Sequence, residues 1–279
     1  MIIIRDIQKI QTLRKLQSDQ SWGFVPTMGA LHLGHISLIK QAIKENDACI
    51  VSIFVNPTQF DDSSDLEQYP RKTELDIEIL EKEGVEILFL QEVKDIYPLD
   101  FNTKVKNLNL SNKLEGTVRE GHFDGVCTVL TKFFNIVSPQ VVYFGQKDAQ
   151  QLLIVKKLVF DLNFDIEVKG CPTYRGENGL ALSSRNEGLT IEQYHSAAVL
   201  YQSLQFAKKL VSEGEKKSEV IVSKMAKMIN QVPFIKIDYI AITDNNKLEP
   251  VRDIDQEVLV SLAVFLGSVR LIDNTVILP

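Results

Sequence analysis

Residues 22–40 read WGFVPTMGALHLGHISLIK, and this stretch decides the fold of the chain. It opens with an apolar run, continues through the small residues 26–30 and enters a helical pattern at His32. That order predicts a strand, a tight turn and the first turn of a helix.

The start of the predicted helix has the chemistry of an anion site. The first backbone N–H groups of a helix lack intrahelical partners and lie at the positive end of its dipole. Gly29 and Gly34 have no Cβ, so a phosphate or an adenine ring can approach the main chain closely. His32 and His35 lie three residues apart, so both imidazoles can face one ligand. The stretch therefore predicts a cradle for a nucleotide and its phosphates.

Two other interpretations of the histidines stay open at this point. Two histidines can form half of a metal site, but zinc needs three or four protein ligands, and no third ligand lies nearby in the sequence. The other alternative is a plain helix start in which the histidines are incidental.

The composition narrows the class of protein. With 279 residues, the chain can form two domains, or one large α/β domain with an appendage. No apolar stretch approaches the roughly 18–20 residues of a transmembrane helix, and residues 1–10 lack a signal-peptide layout. We therefore expect a cytoplasmic protein that does not bind a membrane.

The charge and the cysteines exclude further classes. A net charge of −6 argues against nucleic acid as the main partner, because phosphate backbones are bound by basic surfaces. A small-molecule substrate fits better. Cys49, Cys127 and Cys171 are widely spaced and contain no C-x-x-C pair, so we expect buried, reduced thiols rather than disulfides or a zinc ribbon.

A second strand follows the first helix. Residues 48–55 are apolar apart from Ser52, which suits a parallel strand covered on both faces. The strand stops at Asn56, and Gln59 follows shortly after. Ligands in open α/β sheets collect at the carboxyl ends of strands, so both amides should lie beside the histidines. Asn-Pro is also a common turn signal, which is the alternative interpretation.

A second strand-to-helix junction lies at residues 141–151. Residues 141–144 resemble a strand, which breaks before Lys147 and Asp148, and a helix then opens to about residue 160. A lysine suits a phosphate and an aspartate can accept from ribose hydroxyls. Two such junctions predict a nucleotide site at the switch point of the sheet.

Other segments carry expectations about structure. Residues 85–90 and 105–110 are strand candidates, and residues 61–83 read as a loop that enters an amphipathic helix. Residues 114–125 read as a glycine-rich loop, either bent over a site or simply exposed to solvent. Ser183, Ser184 and Arg185 either close on phosphate oxygens or form a helix cap with a surface arginine.

The pattern of predicted secondary structure changes after residue 190. Helical patterns cover about 190–230, and three apolar segments at 235–242, 257–265 and 269–272 are joined by short turns. We predict an α/β fold, with a Rossmann-like parallel sheet domain at 1–173. A smaller C-terminal α+β domain with an antiparallel sheet, at 174–279, is expected to form a lid over the site.

Six ordered blocks of sequence carry a family resemblance. They are PTMGALHLGH, VSIFVNPTQF, YPR, GHFDGV, FGQKDAQQ and LALSSRN. In this order and spacing they closely resemble the pantoate–β-alanine ligase (pantothenate synthetase) family of the HIGH-type nucleotidyltransferase superfamily. The likeness extends from about Arg5 to the C-terminus.

The resemblance implies a two-step reaction that uses ATP as substrate and Mg²⁺. The carboxylate of pantoate attacks the α-phosphate of Mg·ATP and gives pantoyl adenylate and pyrophosphate. The amine of β-alanine then attacks the acyl carbon and releases AMP and pantothenate. The resemblance also implies a homodimer.

The resemblance assigns roles residue by residue. The catalytic residues it implies are His35, Lys147 and Arg185. These three also bind the nucleotide, together with Met28, His32, Gly145, Asp148, Leu182, Ser183 and Ser184. The residues implied for pantoate and β-alanine are Asn56, Gln59, Gln151, Arg119 and His122. Asp76 matches an acidic residue near magnesium.

Departures from the family pattern leave the implied polar contacts in place. Ala149 stands where an aromatic residue is usual and Leu182 where methionine is usual, so the shape of the pocket differs. Two other functions stay open on the sequence alone. One is a related adenylyl or cytidylyl transferase, which would retain the nucleotide in its product. The other is a non-catalytic nucleotide-binding or protein-interaction module with structural histidines.

Overall fold

The computed structural model of the protein describes residues 1–60 and 63–279. By its internal contacts the chain divides into two compact units. The first comprises Met1–Gln146 with Gln150–Pro172, and the second comprises Lys147–Ala149 with Thr173–Pro279. The lid role of the C-terminal domain stays a prediction.

The first unit is built on a six-stranded sheet whose paired strands all run parallel. Its strands are β1 (Ile2–Ile4), β2 (Trp22–Thr27), β3 (Ala48–Ile53), β4 (Ile87–Leu90), β5 (Val141–Gly145) and β6 (Glu167–Cys171). The strand order is β1-β4-β3-β2-β5-β6, so the direction of winding reverses between β2 and β5. The two strands pair at Gly23 with Val141. The predicted switch point between the two junctions is therefore confirmed.

Helices accompany this sheet. They are α1 (Ile7–Leu16), α2 (Leu33–Glu45), α3 (Ser63–Gln68), α4 (Thr73–Glu83), α5 (Val93–Ile96), α6 (Glu115–Val118), α7 (His122–Val137) and α8 (Ala149–Asp161). The central strands β2 and β3 are buried almost throughout, with Phe24, Val25, Ile50 and Val51 fully inaccessible. A continuous apolar run is what a parallel strand covered on both faces requires.

The structure differs from the sequence-based expectations in three places. Residues 105–110 do not form a strand, because the N–H of Val105 donates to Oγ1 of Thr128 on α7 instead of to a strand. Residues 114–125 are not a continuous loop, since α6 and the start of α7 occupy most of them. Strand β1 was not predicted. Residues 61–62 of the predicted 61–83 segment lie outside the described residues, and α3 and α4 occupy much of the remainder.

The second unit contains a three-stranded antiparallel sheet, as predicted. Its strands are β7 (Ile235–Asp244), β8 (Val258–Leu266) and β9 (Val269–Ile277), in the order β7-β8-β9. Its helices are α9 (Ile191–Ser196), α10 (Ala198–Ser212) and α11 (Ser218–Ile229). Their apolar side chains form one buried core, which includes Leu200, Ile221, Met225 and Val260.

Two expectations about the chain as a whole can be compared with the structure. Cys49, Cys127 and Cys171 are all free and buried, and burial raises the pKa of the Cys127 thiol to about 12. In the described part of the chain, no helix is both long and apolar enough to cross a membrane.

Candidate active site

Helix α2 begins with the histidine pair. His32 is the N-cap, and its Nδ1 accepts the N–H of Gly34 at 3.1 Å, while Nδ1 of His35 accepts the N–H of His32 at 3.3 Å. The ring centroids lie 4.0 Å apart. A ring nitrogen that accepts a hydrogen bond carries no proton, so each neutral imidazole carries its proton on Nε2. The cap therefore makes Nε2–H the donor group of both histidines. A phosphate oxygen is an acceptor and can bind such a donor.

A buried carboxylate holds the turn that precedes this helix. Oδ2 of Asp76 accepts the N–H of Ala30 and Oδ1 accepts the N–H of Leu31, both at 2.8 Å. Asp76 lies on α4 and is only 1% exposed. Gly29 has φ +81° and Ala30 has φ +50°, so two successive residues are left-handed. A Cβ at Gly29 would lie 2.9 Å from Asp76 Oδ2. The glycine is thus needed for the turn itself.

A short 3₁₀ turn, Pro57–Gln59, follows β3 and carries the predicted amides. Asn56 is 1% exposed, and its Nδ2 donates to Gln59 Oε1 and to the carbonyl of Gly125. Its Oδ1 accepts from the hydroxyls of Thr58 and Tyr97, each at 2.9 Å. The Asn56 amide is therefore used within the protein, which makes it a positioning residue for Gln59. Direct contact of Asn56 with a substrate stays a prediction.

The Gln59 side chain links this turn to the histidine loop, which is the segment between β2 and α2 that contains Met28. Its Oε1 faces the Asn56 donor, so its amide nitrogen points elsewhere, and it lies 3.0 Å from Sδ of Met28. An amide nitrogen directed away from Asn56 can donate to a carboxylate or a hydroxyl without adding charge.

His122 contacts the same turn, and Arg119 contacts His122. Nδ1 of His122 lies 2.7 Å from the main-chain oxygen of Gln59, so this nitrogen is the donor. Nη1 of Arg119 lies 3.3 Å from Nε2 of His122, which is then the acceptor. A Cβ at Gly125 would lie 2.3 Å from the carbonyl oxygen of Thr58. Helix α7 and the 3₁₀ turn are thus in close contact, and His122 fastens the Gln59 main chain.

Strand β5 ends at Gly145, and a 3₁₀ turn, Gln146–Asp148, leads into α8. Nζ of Lys147 lies 3.2 Å from Oδ1 of Asp148, with side-chain exposures of 18% and 47%. Gln151, implied as a pantoate ligand, is half-buried on α8.

The other phosphate candidates belong to the second unit. Ser183 is the N-cap of a 3₁₀ helix, Ser184–Gly188, and its Oγ accepts the N–H of Arg185. The cap interpretation is therefore confirmed for Ser183. Leu182 lies just before this cap, where its N–H donates to the carbonyl of Tyr174. Phosphate binding by the serines and Arg185 stays a prediction.

The carboxylates that the structure describes do not fit a resident magnesium site. Among residues 1–60 and 63–279, no three His, Cys, Asp or Glu side chains group as metal ligands would. Both oxygens of Asp76 already accept main-chain N–H groups, and the side chain is buried. Mg²⁺ prefers open positions that it shares with water and substrate phosphates. The geometry favours Asp76 as a loop-holding residue, and its role near magnesium stays a prediction.

Several residues of the site were missed by sequence reasoning. Tyr97 bonds to a residue 41 positions away. Gln150, which is buried, accepts the N–H of Glu115 at a separation of 35 positions. Asn274 donates to the carbonyl of Lys147 across 127 positions. Local spacing contains no signal for such contacts, because each partner is brought close only by the fold.

Together, a parallel sheet and a capped His-x-Gly-His helix start beside its switch point define an α/β nucleotide-binding protein. Comparison with known proteins narrows this class. The model of the pantoate–β-alanine ligase family matches residues 2–276, and the chain belongs to this family. It is 48% identical to a pantothenate synthetase of Thermotoga petrophila, over 97% of this chain and 99% of the relative.

Solved structures agree with this assignment. A pantothenate synthetase from Thermus thermophilus superposes with a TM-score of 0.94 at 40% identity, covering 100% of both chains. A pantoate–β-alanine ligase from Francisella tularensis, complexed with beta-gamma ATP and β-alanine, gives a TM-score of 0.79 at 39% identity. The match covers 99% of this chain and 97% of that one.

Proposed function

We propose that the protein is an ATP-dependent ligase that condenses pantoate with β-alanine to pantothenate through a pantoyl adenylate. The observation that carries the proposal is the capped histidine pair, because the hydrogen bonds that both Nδ1 atoms accept place the ring protons of His32 and His35 on Nε2, at the positive end of α2. The identity of the substrates is inferred from membership of the pantoate–β-alanine ligase family.

In the first step, a carboxylate oxygen of pantoate attacks the α-phosphorus of ATP, and the bond to the β-phosphate oxygen breaks. The products are pantoyl adenylate and pyrophosphate. The substrate supplies the nucleophile, so the protein needs only to position the reactants and stabilise charge. The Nε2–H groups of His32 and His35 serve the phosphate oxygens, on which charge develops.

Neutral amides hold the pantoate in this proposal. Gln59 donates through Nε2, since its Oε1 is occupied by Asn56, and Gln151 supplies a second amide. Amides bind a carboxylate without neutralising it fully, which leaves the oxygen nucleophilic. Arg119 and His122 act on the carboxylate of pantoate or β-alanine. His122 also holds the Gln59 main chain, and Arg119 contacts His122.

The second unit supplies the cationic groups. Lys147 binds the reacting phosphate and carboxylate, and Ser183, Ser184 and Arg185 bind the outgoing pyrophosphate. Gly145, at the end of β5, and Asp148 bind the ribose. Met28 and Leu182 complete the nucleotide pocket.

In the second step, the amine of β-alanine attacks the acyl carbon of the adenylate. The bond between that carbon and the AMP oxygen breaks, the nitrogen loses a proton, and AMP leaves. Exclusion of water from the closed site protects the adenylate from hydrolysis. Residues 174–279 act as the lid in this proposal.

Magnesium enters as part of the substrate Mg·ATP, because the carboxylates of residues 1–60 and 63–279 do not group into a site for it. Bound to the phosphates, the ion neutralises charge that develops on them. We also propose a cytoplasmic location and a homodimer, and light scattering on purified protein tests the homodimer.

The proposal is tested by incubating the protein with ATP, pantoate and β-alanine. We expect one AMP and one pyrophosphate for each pantothenate, and pantoate-dependent ATP–pyrophosphate exchange when β-alanine is left out. A product that retains the nucleotide would indicate a nucleotidyltransferase instead. ATP binding with no exchange would indicate a non-catalytic module.

A further inference from the structure

Lys147 packs with the second unit although it follows a strand of the first. One contact to this unit is a hydrogen bond from Nδ2 of Asn274, on β9, to the main-chain oxygen of Lys147 at 2.8 Å. Asn274 is only 6% exposed. The main chain that carries the lysine is therefore tied to the antiparallel sheet.

The neighbouring residue on β9 holds a second segment. Asp273 binds Arg175 through two hydrogen bonds, at 2.6 Å to Nη1 and 3.0 Å to Nη2, and the carboxylate is fully buried. Arg175 also donates to the carbonyl of Gly179 at 3.0 Å, and its guanidinium lies 4.3 Å from the ring centre of Tyr201. A bidentate pair fixes orientation as well as distance.

Arg175 belongs to a tight hairpin that leads into the Ser183 cap. The N–H of Gly176 donates to the carbonyl of Leu180, and the N–H of Leu182 donates to that of Tyr174. The hairpin turns at Gly179, whose φ is +86°. Its last bonded residue, Leu182, comes immediately before Ser183, so whatever fixes the hairpin also fixes the entry to Ser183–Arg185.

We propose that Asp273 and Asn274 are positioning residues for the phosphate-binding groups of the second unit. Successive side chains of a strand point to opposite faces of its sheet, so this one dipeptide holds two segments that are far apart in sequence. Asn274 fixes the main chain of Lys147, and Asp273 fixes the hairpin that ends at Ser183. The two segments proposed to bind phosphate are thereby both held by hydrogen bonds to one strand, β9.

The inference rests on the proposed function, because it needs Lys147 and the Ser183 cap to act on one ATP. A purely structural role is the competing explanation, since buried ion pairs also occur as ordinary parts of a core. The two explanations differ in what happens when the Lys147 ammonium is removed. A positioning contact then has nothing left to position, whereas a structural contact keeps its effect.

The test is a double-mutant cycle measured by pantoate-dependent exchange of labelled pyrophosphate into ATP. Asn274→Ala should lower the exchange rate about three- to tenfold, the scale of one neutral hydrogen bond, with the KM for pantoate unchanged. In the Lys147→Ala background, the same change should cost less than about 1.5-fold. Asn274→Leu, which fills the space without a donor, should lower the exchange rate as Asn274→Ala does in each of the two backgrounds.

A matched control is an ion pair between the same strand, β9, and β7. Arg270 of β9 pairs with Asp238 through Nε and Nη2, at 3.0 and 2.8 Å, and neither residue belongs to the proposed site. Asp238→Asn should leave the exchange rate unchanged. Asp273→Asn should lower it and raise the KM for ATP.

Three outcomes would overturn the inference. These are an unchanged rate for Asn274→Ala, an equal loss in the wild-type and Lys147→Ala backgrounds, and loss of cooperative melting in both Asn274 variants. Absence of exchange in the wild-type protein would instead overturn the proposed function, so the two failures are distinguishable.

Discussion

Replacement of Asp76 by asparagine tests whether this residue holds the histidine loop or binds magnesium. The carboxylate accepts two main-chain N–H groups at 2.8 Å, those of Ala30 and Leu31. Asparagine keeps the shape and one acceptor, but it turns an NH₂ group toward the other N–H. One charge-assisted hydrogen bond is lost, so the free energy of unfolding should fall by about 1.5–3 kcal/mol.

The expected effects follow from that magnitude. For a chain of this size, 1 kcal/mol shifts Tm by about 2–4 °C, so Asp76→Asn should lower Tm by roughly 3–12 °C without nucleotide or magnesium. Displacement of the turn before His32 should lower turnover on the order of ten- to a hundredfold. The dependence of the rate on Mg²⁺ concentration should stay as in the wild type.

Two measurements decide the matter: thermal unfolding of the free protein, and AMP formation across a magnesium titration. Glu74→Gln is the matched control, because Glu74 lies on the same helix and is exposed. A variant with wild-type Tm that recovers full turnover at high Mg²⁺ would refute the loop-holding role and support a metal ligand.

Three further predictions concern separate parts of the first unit. His35→Ala should lower turnover by about 10²- to 10³-fold, the scale of one lost transition-state donor; His195→Ala is the control, and equal activities would remove His35 from the mechanism. Gly125→Ala should destabilise the protein by about 1–3 kcal/mol and raise the KM for pantoate, since its Cβ would press on the Thr58 carbonyl; an unchanged melting curve and KM would contradict this. Hydrogen bonds from a lysine and a tyrosine lower the pKa of Glu45 to about 2, so its stabilising effect is full above about pH 4.5 and is lost as the pH falls toward 2. The Tm deficit of Glu45→Gln should accordingly shrink over that range, and a constant deficit would count against the assignment.

Much of the fold follows from local sequence because its central strands are buried on both faces. Residues 48–53 are apolar apart from Ser52, a pattern that suits a parallel strand covered on both faces. The His-x-Gly-His junction is equally local, since the cap is formed by residues within three positions of each other. Those parts of the prediction needed no knowledge of distant contacts.

The errors arise where distant contacts decide the structure. Strand β1 has three residues and pairs with β4, more than 80 positions away, so its pattern is too short to detect. Residues 105–110 have a strand-like composition, but the main chain at Val105 bonds to α7. The roles of Asp76 and Asn56 depend on main-chain partners that the sequence does not reveal. A family resemblance identifies such residues without showing what they hold.

The central claim is that the carboxylate of pantoate attacks the α-phosphate of ATP. Pantoate labelled with ¹⁸O in both carboxylate oxygens tests it directly, with mass spectrometry of the nucleotide after a full reaction with β-alanine. We expect one ¹⁸O in the phosphate of each AMP, and one retained in the new amide. Unlabelled AMP, or ADP as the nucleotide product, would contradict it.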